Sequence, residues 1–246
     1  MNILAVTDTE SPALENIVSR SPEKLKNVSM IISCGDLDSS YLEFLVDGLN
    51  REFFFVCGNH SAKPSGEPDP DSPVERMLEH MRKFHKKDSC YVAGQYDLHG
   101  RLVVLGQYIL VGFGGSGWYS GRGNEYSEAE MSRVVRKTAR KIKMLKFRDK
   151  IMGRRQKEII VVSHAPIFQI HDRPDPCHRG FKCFLDFLNK LTPLLWLHGH
   201  IHLRDINKNE ISVIGGTTIV NVFGHKFITV NTNKIDVSSR ADILDK

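Results

Sequence analysis

The sequence lacks the features that mark membrane-spanning, secreted and disulfide-stabilised proteins. No apolar run in its 246 residues approaches the ~18 residues that a membrane-spanning helix needs. The five cysteines are odd in number and show no paired zinc-site spacing, which favours a reduced protein. The N-terminal stretch MNILAV enters a strand-like run directly, so we expect no signal peptide. We therefore predict a cytoplasmic protein with no membrane partner.

An excess of charge of one sign is also missing. The chain carries 34 basic and 29 acidic residues, and its net charge of +5 says little about partners by itself. Hydrophobic residues make up 41% and charged residues 26%, which is an ordinary globular mixture. The length suits one large α/β domain or two small ones.

Short apolar runs alternate with helical patterns along much of the chain. Such runs, bounded by polar residues or glycine, are typical of strands that are buried on both faces of a parallel sheet. We predict these strands at 2–7, 30–34, 52–57, 158–163 and 194–198. Between them, Ser11-Pro12 and Ser21-Pro22 each place an N-cap residue before proline at the first helical position. Apolar side chains recur at helical spacing over 38–50.

After Cys90 the predicted strands become closely spaced and are separated by glycines and short turns. They fall at 91–93, 100–105, 108–113, 211–214, 217–222 and 226–230. This spacing is typical of antiparallel meanders. We predict two stacked mixed β-sheets flanked by helices, a four-layer α-β-β-α sandwich. The prediction is a single domain over residues 1–246 with a polar C-terminal tail from about residue 231.

Polar side chains follow five of the predicted strands, at the point where each strand ends. In chain order they are Asp8 and Glu10, Asp36, Asn59 and His60, His164, and then His200 and His202. Because the carboxyl ends of parallel strands lie along one edge of a sheet, these groups can converge. Carboxylates, imidazoles and one amide oxygen suit manganese, iron or zinc. About seven donors exceed what one tetrahedral ion takes, which favours two ions that share a carboxylate.

These stretches resemble the motifs of the calcineurin-like metallophosphoesterases. That family has Asp-x-His, Gly-Asp, Gly-Asn-His followed by an acid, a lone His, and Gly-His-x-His; the chain has DTE, GD, GNH, SHAP and GHIH in the same order. The resemblance spans residues 2 to about 230. It implies one metal site of Asp8, Glu10, Asp36 and His202. It implies a second site of Asp36, Asn59, His164 and His200, with Asp36 bridging the two.

The resemblance also implies a reaction. Two cations ~4 Å apart share a hydroxide that attacks a phosphoryl group in line. His60 is implied as the catalytic residue that protonates the leaving oxygen or stabilises charge in the transition state. We expect two divalent ions and favour manganese, because Glu10 adds a hard oxygen donor; iron, zinc and magnesium are the alternatives.

Two positions depart from the family pattern. Glu10 stands where the family has histidine, and Ser61 stands where it has an acid that orients the preceding histidine. Both departures are compatible with activity, and both also suit a degenerate relative that keeps the fold and binds proteins, as the retromer subunit of this fold class does. The retained ligand set favours the enzyme.

The segment 127–157 supports a different alternative. Ser127 and Glu130 form a capping-box pattern, and an apolar stripe follows at helical spacing. Twelve Lys or Arg residues and one acid, Asp149, lie between Arg133 and Lys157. A basic helix can follow a phosphate backbone, so a nuclease or nucleic-acid-binding phosphoesterase is the alternative function. The other interpretation of this helix is a solvated face.

Basic residues on loops are the candidates for binding substrate. We select His178, Arg122 and Arg173, each of which could hold a phosphate oxygen. His178 belongs to the stretch His178-Arg179-Gly180, which resembles the family's His-x-Gly segment. We predict a small phosphodiester or phosphomonoester as substrate, with nucleic acid as the alternative partner. The sequence does not specify the oligomeric state.

Overall fold

The computed structural model describes residues 1–60, 96–121, 124–231 and 234–245. The predicted strand over 91–93 and the candidate substrate ligand Arg122 lie outside the described residues.

The described residues form four α-helices and fourteen strands. The helices are α1 Pro12–Arg20, α2 Ser39–Leu49, α3 Glu128–Ile151 and α4 Lys182–Leu191. Two 3-10 helices cover Pro22–Leu25 and Ala241–Asp245. The strands are β1 Asn2–Thr7, β2 Met30–Ser33, β3 Glu52–Phe55, β4 Tyr96–Asp97, β5 Leu102–Leu105, β6 Tyr108–Phe113, β7 Ser116–Gly117, β8 Glu125–Tyr126, β9 Glu158–Ser163, β10 Leu195–His198, β11 Glu210–Ile214, β12 Thr217–Asn221, β13 Gly224–Val230 and β14 Ile235–Ser238.

The strands build two mixed sheets and one short pair. The first sheet has the order β14-β13-β1-β2-β3-β4, and the second has the order β11-β12-β10-β9-β6-β5. In the first sheet β1 to β4 run parallel, and β13 and β14 are antiparallel to their neighbours. In the second sheet β12, β10, β9 and β6 run parallel between antiparallel edge strands. The short pair is formed by β7 and β8.

Alternation along the strands creates four layers. In β1, Ile3 and Ala5 join a core cluster that is shared with alternate residues of β9 and β10, so this core lies between the sheets. Leu4 and Val6 point the other way and pack with residues of α1 and α2. On the far side of the second sheet, Trp196 packs with residues of α3 and α4. The predicted α-β-β-α sandwich is confirmed.

Two segments differ in detail from the sequence pattern. Ser21-Pro22 opens only a 3-10 helix, and the Ser21 side chain makes no capping hydrogen bond. The segment predicted as a polar tail adds β14 to the edge of the first sheet. It does so because Ile235 and Val237 alternate with polar residues and pack against the central core, while Leu244 is buried on the outer side.

Candidate metal centre

Five strand ends deliver the candidate ligands to one place. Asp8, Asp36 and Asn59 follow β1, β2 and β3 of the first sheet, and His164 and His200 follow β9 and β10 of the second. The backbone N–H of His200 donates to Asp8 Oδ2 at 2.9 Å. His164 Nε2 lies 3.1 Å from Asp36 Oδ2. The carboxyl edges of the two stacked sheets therefore meet at a single cluster.

Glycines allow this close approach. A β-carbon on Gly199 would collide with Thr7 Oγ1 and crowd Asp8 Oδ2. A β-carbon on Gly58 would collide with the Asp36 carboxylate. Because only hydrogen occupies these positions, the loops of the two sheets can pack directly on the candidate ligands.

His164 is the centre of the cluster. Its Nε2 lies 2.8 Å from Asn59 Oδ1 and 3.1 Å from His200 Nδ1, in addition to the contact with Asp36. Asp36, His164 and His200 each offer a ligand atom, and these atoms all lie within 4.8 Å of one another. Donors that share an ion at ~2.1 Å stand roughly 3 Å apart, so this spacing fits a metal ion.

Backbone carbonyls fix the orientation of both buried imidazoles. His164 Nδ1 lies 2.8 Å from the Cys34 carbonyl, and His200 Nε2 lies 2.8 Å from the Cys177 carbonyl. Since a carbonyl only accepts hydrogen bonds, these ring nitrogens carry the protons. The other nitrogen of each ring faces the cluster, and it would offer a lone pair to a metal ion once that nitrogen carries no proton.

Burial and mutual charge set the protonation of the carboxylate and the two imidazoles. Burial lowers the pKa of His164, but the charge and hydrogen bond of Asp36 outweigh burial and raise it to about 9. Burial raises the pKa of Asp36, and the charge of His164 with the hydrogen bonds at the carboxylate outweighs it and brings the value to about 2. For His200, burial and then the charge of His164 lower the pKa to about 4. The cluster therefore pairs an ionised Asp36 with a protonated His164 beside a neutral His200, and a cation bound there would replace the proton on His164 Nε2.

Asp8 and His202 form the other half of the cluster. Asp8 Oδ2 accepts hydrogen bonds from the His200 backbone and from Thr7 Oγ1 at 3.0 Å, but Oδ1 is buried without a hydrogen-bond partner. An unpaired buried carboxylate oxygen is costly, and a cation would satisfy it. His202 Nε2 lies 3.8 Å from this oxygen, and its side chain is 63% exposed. The nearby Asp8 carboxylate raises the pKa of His202.

The loop before β8 supports Asn59, and the sequence pattern did not reveal this role. The Asn59 side-chain amide donates to the Tyr119 hydroxyl at 3.1 Å, which leaves the amide oxygen directed at His164. The loop itself is held by Glu125, whose carboxylate accepts from the backbone N–H groups of residues 119, 120 and 121 at 2.8–3.0 Å. Burial raises the pKa of Glu125, but hydrogen bonds from Ser120 and the backbone outweigh it and lower the value to about 2.

The remaining predicted residues take different positions. His60 is exposed at the rim, and its backbone N–H donates to Asp36 Oδ1 at 2.8 Å. His178 packs its ring 5.4 Å from the ring of His200 and bonds to Asp175 at 2.8 Å. Arg173 donates to the His202 carbonyl at 2.7 Å. Arg122 lies outside the described residues.

Glu10 differs from the buried candidate ligands in its exposure. Its side chain is exposed. Burial, together with the charges of Glu15 and Glu10, raises the pKa of Tyr41 to about 12. Glu10 therefore lies near the start of α2, and its role as a ligand stays a prediction.

Known proteins resemble this chain in sequence pattern and in fold. A family model described as calcineurin-like phosphoesterase matches residues 1–204. A search of curated proteins finds no match. The solved structure of TT1561 from Thermus thermophilus resembles this chain with a TM-score of 0.59 and 14% identity, over 96% of this chain and 97% of that one.

Two further solved structures are more distant. A single mutant of Vps29 from Entamoeba histolytica has a TM-score of 0.42 and 10% identity, over 96% of this chain and 90% of its own. A structure described as a novel archaeal phosphodiesterase has a TM-score of 0.39 and 10% identity, over 96% and 98%. At such identities a structural likeness speaks only for the fold. The family model covers most of the chain and includes every candidate ligand, and it confirms the predicted resemblance: the chain belongs to the calcineurin-like phosphoesterase family.

Proposed function

We propose that this chain is a metal-dependent phosphoesterase that holds two divalent cations and hydrolyses a small phosphate ester. The observation that carries the proposal is the meeting of Asp8, Asp36, Asn59, His164 and His200 at one edge of the fold. Their donor atoms stand about 3 Å apart around His164, and a buried oxygen of Asp8 has no partner. Membership of the family supports the reaction class.

Two overlapping ligand sets follow from this arrangement. Asp36, Asn59, His164 and His200 would hold one ion, and Asp8, Asp36 and His202 would hold the other, with Asp36 shared. Oxygen and imidazole donors in this proportion accept manganese, iron or zinc, and the carboxylates favour manganese. Glu10 is the predicted fourth ligand of the second set. If a metal titration of Glu10→Gln matches that of the wild type, Glu10 is not a ligand.

The residues around the cluster supply the rest of the chemistry. When bound, the ions lower the pKa of a water molecule and stabilise negative charge on the phosphoryl group. His60, at the exposed rim, can donate a proton to the leaving oxygen. His178, fixed by Asp175, and Arg173, fixed on the His202 carbonyl, can hold phosphate oxygens. Arg122 remains a candidate for the same task.

The two alternatives have less support. A protein-binding scaffold without activity has no need of a buried donor cluster whose imidazoles are oriented by carbonyls. A nuclease would depend on the basic residues of α3. This helix starts beside α4, where Glu128 accepts from the backbone N–H groups of Lys182 and Cys183. It is ~36 Å long and leads to the start of β9, the end of that strand opposite His164. A nucleic acid along its C-terminal half would lie far from the proposed centre.

The test is a hydrolysis panel with matched variants. The wild-type chain is assayed on bis-p-nitrophenyl phosphate, p-nitrophenyl phosphate, cyclic nucleotides and short oligonucleotides, each with manganese, magnesium, zinc or iron. We expect manganese-supported hydrolysis of a small ester, and we expect Asp36→Asn to abolish it and to weaken manganese binding in calorimetry. Asp186→Asn, which changes an exposed acid on α4, is the control. Hydrolysis of no substrate with any metal, or full activity in Asp36→Asn, contradicts the proposal.

A further inference from the structure

The C-terminal half of α3 presents large apolar side chains to solvent. Met144 is 72% exposed, Phe147 65%, Ile151 69% and Met152 54%. These four residues, which we call the α3 apolar face, include some of the most exposed large hydrophobic side chains in the described part of the chain. Scattered exposed apolar residues are ordinary, but four within nine positions of one helix form a patch that suggests a binding surface.

The apolar face lies opposite the side of α3 that packs on the protein. The buried residues Met131, Val135, Thr138 and Ile142 recur at spacings of three and four, so they form one stripe against the second sheet and α4. Met144, Phe147 and Ile151 also recur at spacings of three and four, but Met144 is two positions after Ile142. Residues two apart on a helix point to opposite sides. The apolar face therefore points directly outward.

Positive charge surrounds this face. Lys141 and Lys143 precede its members along the chain, Arg148 and Lys150 lie between them, and all four are exposed. The one acid of this stretch, Asp149, is buried and forms an ion pair with Lys157, which neutralises its charge within the fold. An apolar strip with cations along both flanks therefore faces the solvent.

We propose that the α3 apolar face binds the surface of an anionic membrane. A helix with large apolar side chains outward and lysines and arginines beside them lies in the lipid interface, with the apolar groups inserted and the cations at the anionic headgroups. No helix among the described residues is long and apolar enough to cross a membrane. The sequence-based prediction of no membrane partner rested on the lack of a spanning run, and binding in the plane of the interface needs no such run.

The charges and the shape of the face argue against other occupants. A second copy of the chain would bring two strongly cationic strips together, which is repulsive. A nucleic acid would satisfy the cations but would leave Phe147 and Ile151 in water. Among the described residues, only α3 and its C-cap Met152 line the hollow at this surface, so they offer an acidic peptide no second side to pack against. A membrane surface matches both the charge and the single-sided apolar strip.

Binding at this face leaves the proposed metal centre open to solvent. Helix α3 begins beside α4 and the His178 segment, at the edge that carries the centre, and ends where β9 begins, at the opposite edge. The tethered protein would thus turn its site away from the lipid. For this reason variants of the apolar face should leave hydrolysis of a soluble ester unchanged.

The test uses the full chain and sedimentation with vesicles. We expect binding to phosphatidylcholine vesicles that contain about 30% phosphatidylglycerol, weak binding to phosphatidylcholine alone, and release by added salt. Phe147→Ser with Ile151→Ser should reduce the partition coefficient at least about tenfold, because two large side chains no longer insert. Ile211→Ser with Val213→Ser, which removes two exposed apolar side chains from β11, should bind as the wild type does.

Several results would overturn the proposal. One is that the wild type does not bind the anionic vesicles, and another is that it binds both vesicle types equally. A third is that the Phe147/Ile151 variant binds as tightly as the wild type while its circular dichroism and manganese affinity are unchanged. If the wild type self-associates and the Phe147/Ile151 variant does not, the face binds a second copy of the chain instead. If the wild type is retained on immobilised oligonucleotides but does not bind vesicles, α3 binds nucleic acid instead.

Discussion

Three of the proposed ligands have a backbone conformation that residues other than glycine rarely adopt. The φ angles of Asp8, Asp36 and His200 are 60°, 56° and 67°, in the left-handed region. Aspartate and histidine visit this region more readily than most residues, but each instance still costs about 1 kcal/mol. Each of the three lies within a few residues of the end of its strand. We infer that the left-handed turn directs each side chain into the cluster, and that contacts across the two sheets hold it there.

At the same scale, Tyr119 should control the affinity of the centre through Asn59. Its hydroxyl accepts from the Asn59 amide at 3.1 Å, and this contact directs the amide oxygen toward His164. Tyr119→Phe removes the acceptor, so the amide can rotate, and we expect manganese affinity to fall about tenfold in calorimetry. Tyr96→Phe, which removes an exposed hydroxyl on β4, is the control. Equal affinities in Tyr119→Phe and wild type would show that Asn59 needs no support.

At the scale of the elements, apolar runs and polar punctuation predicted most strands correctly. The strands over 2–7, 108–113 and 158–163 have the predicted bounds, and the others within the described residues differ by a few residues at their ends. Helix α3 begins after Ser127 as the capping-box pattern indicated, and both capping bonds are present. These features are local, and local sequence specifies them. The supports of the centre are not local: the carbonyls of Cys34 and Cys177 carry no signal in the sequence, because every residue has a carbonyl.

The junction between the sheets gives a prediction for an element end. Gly199 packs on Thr7 and Asp8, and an added methyl group would push the loop after β10 away from the end of β1. Gly199→Ala should therefore lose the bond from the His200 backbone to Asp8 and destabilise the fold by about 1–3 kcal/mol. Gly117→Ala is the matched control, since its β-carbon would meet only ordinary contact at 3.7 Å. Urea unfolding of both variants measures the difference, and equal stabilities contradict the argument.

At the scale of the whole molecule, the pairing of distant segments could not be predicted from patterns. β1 pairs antiparallel with β13, so that Asn2 faces Thr229, and β14 then extends this edge. Periodicity indicates which residues are buried but not which strand lies beside which. The strand pattern predicted two stacked sheets and the convergence of polar groups at strand ends. The family resemblance implied how those groups divide between two metal sites, because a shared fold carries long-range pairing that a single sequence does not show. The ligand role that it implies for Glu10, whose side chain is exposed, stays a prediction.

Because the proposed centre joins the two sheets, metal binding should stabilise the whole fold. Asp8 and Asp36 follow strands of one sheet and His164 and His200 follow strands of the other, so an ion held by both sets binds only while the sheets stay together. At a manganese concentration of about 100 times Kd, one site adds about 2.7 kcal/mol to the free energy of unfolding. For a chain of this size that raises Tm by roughly 5–10 °C. Differential scanning fluorimetry with and without manganese measures the shift, and a chelator should reverse it. Asp36→Asn should not respond, whereas Asp186→Asn should respond as the wild type does. If manganese still raises Tm in Asp36→Asn, the stabilising ion binds elsewhere. If manganese, iron, zinc and magnesium all leave the Tm of the wild type unchanged, the proposed metal centre is wrong.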